Sequence, residues 1–152
     1  MGQYGYGRGF TLFEVLIVIG LFTLLGGLAL FMSMDSYRGS SFRSDRDLLV
    51  SLLQHARARA MNNMCIGTCT DGKPHGVRVE PDRYVVFQGP GYSPSDPENA
   101  VFPANPSISR TGMNVVFSQL SATTTATSTT LTGGGRASVI SISADGQITW
   151  TE

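Results

Sequence analysis

Histidine and cysteine are nearly missing from this sequence, which holds two of each in 152 residues. His55 falls on the polar side of a helical pattern and His75 in the loop "DGKPHGV", and no Ser or Cys motif places a nucleophile beside either. An enzymatic reading therefore lacks its parts, and no cofactor is expected. Cys65, Cys69 and His75 fall short of four ligands and match no common zinc spacing, and two cysteines are too few for a disulfide scaffold. Charge is also scarce, at 14% of residues, and balanced, with 11 Lys+Arg against 11 Asp+Glu. Setting aside Arg8 and Glu14 leaves the balance intact beyond Met34, so no global field attracts nucleic acid or anionic lipid. What the chain has in quantity is Gly, Ser and Thr, a composition that suits a β-rich extracytoplasmic domain.

Charge is absent altogether from "VLIVIGLFTLLGGLALFMSM", Val15 to Met34, which is long enough to cross a hydrocarbon core at about 1.5 Å per residue. A cleaved secretory signal would be shorter and followed by small residues, and "GLALFMSM" offers no A-x-A site. A signal anchor fits the length. Arg8 before the span against Arg38, Arg43 and Arg46 after it would by itself favour an inward-facing C-terminal side. At the head of the run stands one carboxylate, Glu14. A lone charge in such a segment costs about 2.5 to 3.5 kcal/mol on insertion scales, so it marks a site with a partner.

The short leader ending in Gly9, followed by "FTLFEVLIVIGLF", resembles the prepilin-type cleavage and methylation site of type IV pilins and type II secretion pseudopilins. The resemblance implies that prepilin peptidase cuts between Gly9 and Phe10, that Phe10 is N-methylated, and that Glu14 is the fifth residue of the mature chain. It also implies a partner for Glu14, the new amine on Phe10 of a neighbouring subunit. Such a pair sets register more than stability, because axial slip leaves both charges unpaired. Many pilins carry a helix-breaking proline in this stretch. Here there is none, and only Gly20, Gly26 and Gly27 interrupt the helix.

Helical periodicity continues past the apolar run. Phe42, Leu49, Leu52, Leu53, Ala56 and Ala60 share one face, with Asp47, Ser51, His55 and Asn62 opposite. Arg38 and Asp45 intrude on the apolar face. After "NNM" the pattern turns to strands: "VRVE" and "YVVFQ" flank "PDR", with Val77 and Val79 on one face. Residues 88–113 read as a long irregular surface loop, whose prolines exclude a central strand or a helix. "NVVFSQL" is a strand, as is the stretch near Ser128 to Thr132. "SVISISADGQITW" is a hairpin around "DG", with Ile140, Ile142, Ile148 and Trp150 aimed at one interior.

The expected fold is α+β: a long N-terminal helix, membrane-spanning in its first half and amphipathic in its second, packed on an antiparallel β-sheet domain. The expected organisation is a leader at 1–9, a transmembrane and assembly helix at 10–34, an amphipathic helix at 35–64, and a β domain at 65–152 with its loop at 88–113. The run from "ARARAMNNMCIGTC" to "HGVRVEPDRYVVFQG", with the closing "ISISADGQI", is similar to the globular part of the GspH/FimT family of minor pseudopilins and minor pilins. The resemblance implies a structural subunit rather than an enzyme: a single-pass inner-membrane protein with an extracytoplasmic domain, whose partners are prepilin peptidase, other pilin or pseudopilin subunits and membrane lipid. Nucleic acid is a less favoured partner, because Asp45 and Asp47 dilute Arg43, Arg46, Arg57 and Arg59 and no stacking aromatics interleave with them. Cys65 and Cys69 form either a disulfide or two buried thiols. In extended chain their Cα atoms would lie about 13 Å apart, so a bond needs a turn through "IGT" that Gly67 permits.

Overall fold

A computed structural model describes residues 9–152, with the backbone alone over 29–36. Residues 1–8 of the expected leader and the side chains of 29–34 in the expected span lie outside that description. The chain divides into two compact units, Met1–Tyr37 and Arg38–Glu152. Helical backbone, α1, covers Leu12–Met61, and its described side chains fall in two segments, 12–28 in the first unit and 37–61, all but Tyr37 in the second.

In the second unit the stripe read from the sequence is the buried one: Phe42, Leu49, Leu53, Ala56 and Ala60 are almost wholly inaccessible. The helix stops through its backbone. Asn63 takes φ 54°, and the Met64 N–H reaches back to the Arg59 carbonyl at 3.0 Å, an αL cap that satisfies carbonyls the last turn would otherwise leave open.

Eight strands follow: β1 His75–Val79, β2 Arg83–Gln88, β3 Ala100–Pro103, β4 Ser109–Arg110, β5 Met113–Phe117, β6 Thr127–Gly133, β7 Arg136–Ile142 and β8 Ile148–Thr151. They form two antiparallel sheets of four strands, ordered β3-β2-β1-β5 and β4-β6-β7-β8. In the first sheet Val77 lies opposite Val86 and Val115, and Val79 opposite Tyr84 and Met113. With period 2 this puts those residues on one face, and they join the helix stripe in one core with Leu131, Ile140 and Ile142 of the second sheet. The other face of β2 is buried as well. Tyr92 packs edge-on against Phe87 at 5.7 Å, and Gly76 opposite is needed because a Cβ there would collide with the Phe87 ring and the Val115 carbonyl.

The expected fold is corrected on two counts. There are two antiparallel sheets, not one. Positive φ at Leu120 and Ala122 breaks the extended backbone between β5 and β6, so β6 starts a separate ladder with β7. And among the described residues no helix is long and apolar enough to cross a membrane. The membrane-spanning first half of the helix, and with it the assignment as a single-pass inner-membrane protein, is withdrawn on that finding.

Residues 88–113 are not irregular throughout. β3 and β4 lie inside them, both as outermost strands, the one place where proline-rich chain joins a sheet without breaking it. Trp150 also departs from expectation: it shares a face with Ile140 but stays 46% exposed, because β8 is itself an outermost strand and the Arg46 guanidinium lies over the ring at 5.9 Å.

Candidate assembly interface

The first unit begins with a cap. Thr11 precedes the helix, and the Glu14 backbone N–H donates to Thr11 Oγ1 at 3.3 Å, one half of the arrangement that a T-x-x-E sequence makes at a helix start. Glu14 is thus the third helical residue, where an anionic side chain complements the helix dipole. Sequence reasoning overlooked this role, although "TLFE" carries its signature.

From that cap onward the helix is apolar all round. Large hydrophobic side chains at consecutive positions are open, from Leu12 at 82% and Phe13 at 72% to Phe22 at 71%. A helix with one polar face would bury its stripe and wet the rest. One that is apolar on every side is stable only when other surfaces cover it. Gly20, Gly26 and Gly27 have open space where a Cβ would stand, so nothing in their own chain requires a glycine there. They are thin places on the helix surface, where another backbone can approach closely.

Phe10, itself 81% exposed, stands before the Thr11 cap and outside the helix, which begins at Leu12. Among the described residues the Glu14 carboxylate has no hydrogen-bond or ion-pair partner, whereas the other carboxylate on an apolar helix face, Asp45, is fully engaged. Asp45 accepts from Tyr84 Oη at 2.8 Å, from the Asn105 backbone N–H at 3.0 Å and from Arg110 Nη2 at 3.1 Å. Arg110 also donates to the carbonyls of Pro81 and Asn105 and stacks on the Tyr84 ring. Burial and the Asp45 hydrogen bond push the Tyr84 hydroxyl above its ordinary range. This network fastens the chain after β3 and the short β4 to the helix. It is structural, and the sequence hid it because its members are widely separated.

The cysteines stand at the end of the helix. A turn with Gly67 at φ 83° brings the Cα atoms of Cys65 and Cys69 to 5.9 Å, and a disulfide joins them. The Gln88 amide brackets the turn, accepting from Ile66 N–H at 3.0 Å and donating to the Ile66 carbonyl at 2.7 Å. His75 Nε2 bonds the Met64 carbonyl at 3.0 Å. Burial of the His75 ring lowers its pKa, while on the β1–β2 turn hydrogen bonds from Arg83 and then Arg78 lower that of Glu80.

The arginines weighed for nucleic acid are not alike. Arg46 is paired with Asp47 and Glu152, and Arg57 lines a groove beside β8. Among the described residues no three His, Cys, Asp or Glu side chains are placed to hold a metal. No family model, curated protein or solved structure matches this chain.

Proposed function

We propose that this chain is a structural subunit, a minor pilin or pseudopilin, of a type IV pilus or type II secretion filament. In this reading prepilin peptidase cuts between Gly9 and Phe10, Phe10 is N-methylated, and the subunit assembles through its N-terminal helix. The observation that carries the reading is the helix surface at 12–28. Apolar side chains are exposed on every side of it, directly after a sequence that resembles the prepilin cleavage site. Helices of like subunits, packed side by side, are a cover of matching chemistry. The Glu14 carboxylate, without a partner among the described residues, then has a natural complement in the amine that cleavage creates on a neighbour's Phe10. An unpaired charge inside such a bundle is unfavourable, so the pair fixes the axial stagger of one subunit on the next.

The test is the intact mass and N-terminal residue of the protein from its native envelope. N-methylated Phe10 is the expected terminus, and an unmodified Met1 or Gly2 in cells that possess the peptidase defeats the reading. Glu14→Gln keeps the size of the side chain but removes its charge, and should impair incorporation into filaments while leaving the second unit folded. Normal incorporation of the variant would leave Glu14 only its helix-capping role.

A further inference from the structure

The outermost strands of the two sheets are protected unequally. β3 ends in Pro103, which has no N–H to offer a neighbour, and β4 is only two residues long, with the Arg110 side chain buried. β5 and β8, the other two outermost strands, have no such guard, and β8 is the more exposed of the two. Its sequence is Ile-Thr-Trp-Thr, β-branched and aromatic throughout, and Thr149, Trp150 and Thr151 are exposed. An antiparallel strand turns alternate N–H and C=O groups outward, and unguarded edges of this composition are templates for another strand.

Beside β8 runs a groove of about 370 Å³, lined on the helix side by Arg57, Ala58 and Met61 and on the hairpin side by Gly146, Ile148 and Thr149. Gln54 and Gln147 complete its mixed polar and apolar lining, in which Arg57 is the only charged residue. Arg57 Nε is buried and has no hydrogen-bond partner. Gly146 packs against it: a Cβ there would collide with the Ala122 carbonyl oxygen and stand 3.2 Å from Nε. Nε itself is shielded from any ligand, but among the described residues no carboxylate pairs with this guanidinium, and a carboxylate is the group that matches it.

We propose that this groove takes an extended, acidic peptide segment of another protein, which adds as a strand to the free edge of β8 and sets an Asp or Glu side chain on Arg57. Main-chain pairing supplies affinity and the arginine selects the charge. The site lies in the second unit and does not depend on how the N-terminal helix assembles.

The probe is a fluorescent hexapeptide, Thr-Val-Thr-Asp-Val-Thr, titrated by anisotropy against the full chain in detergent. Its Asp→Asn form and a form with proline in place of the central Thr serve as controls. The Asp peptide should bind, slow amide exchange at residues 148–151, and lose about tenfold in affinity in its Asn form or against Arg57→Gln, as loss of a charge-assisted hydrogen bond requires. Proline should weaken binding further. Ala58→Glu, at an exposed helix position, should abolish binding without affecting the fold, and it decides the matter if Arg57→Gln melts early. Equal binding of the Asp and Asn peptides, unchanged binding to Ala58→Glu, or no binding at millimolar peptide overturns the proposal. So does sedimentation of the full chain as a dimer that Arg57→Gln separates, which would make the occupant a second copy.

Discussion

Leu21 and Leu53 are both leucines in helical backbone, yet Leu21 is 56% exposed and Leu53 wholly buried. Glu14 and Asp45 repeat the contrast among carboxylates: each is a single acid on an apolar helix surface, but among the described residues only Asp45 meets a guanidinium, a phenol and a backbone N–H. The segment 37–61 concentrates its large apolar residues on one face, so two sheets can cover it. The segment 12–28 spreads them over every face, so no single domain could. One stretch of helix is therefore consumed in folding, and the other keeps its apolar side chains exposed. Apolar surface is stabilising only when it is buried, and the angular distribution of side chains decides which molecule does the burying.

The largest test of that contrast is to remove each carboxylate. Asp45→Ala strands the buried Arg110 and should destabilise the second unit by about 3 to 5 kcal/mol, much of a small domain's stability. Glu14→Ala should leave urea denaturation of the second unit unchanged. Comparable losses in the two variants would break the distinction.

Next come the leucines. Leu53→Ala should reduce stability by about 2 to 5 kcal/mol, through lost burial and a residual cavity. Leu21→Ala should shift the same denaturation curve by less than about 0.5 kcal/mol, as open surface positions do, while weakening self-association in detergent.

A smaller effect is expected at the end of the helix. A loop as short as Cys65 to Cys69 constrains the unfolded chain by about 2 kcal/mol, so adding reductant should lower the melting temperature by an amount that Cys65→Ser, Cys69→Ser already shows without it. Alkylation of denatured, unreduced protein from its native source should label neither cysteine.

The smallest effect is a pH dependence. Burial lowers the His75 pKa below its ordinary value of 6.5, so the unfolded chain takes up a proton that the folded chain resists. Stability should be complete above about pH 6.5 and fall as the pH drops below it. His75→Gln should flatten the slope between pH 7 and 5, and an unchanged slope would place the titrating group elsewhere.

Much of the second unit was legible because its code is local. The 3.6-residue stripe of 37–61 and the alternation in β7 are periodicities that burial later occupies. The "DG" turn places Gly146 at φ 72°, a conformation that glycine adopts without strain. β3 and β4 escaped notice because short outermost strands have no pattern of their own, and they are strands only because β2 and β6 offer them partners. Trp150 was misplaced because alternation tells which face a residue is on, but not whether anything lies beyond the edge.

By itself, the sequence determined where apolar and polar side chains recur, where the helix is capped, and where the cleavage-like motif stands, since each depends on residues a few positions apart. Only the tertiary structure decided that the strands divide into two sheets, that Asp45 belongs with Arg110, and that β8 keeps a free edge beside Arg57. Those outcomes depend on which distant segments compete for the same partner. Long-range pairing is settled by the geometry of the whole chain, and no short window of sequence contains it.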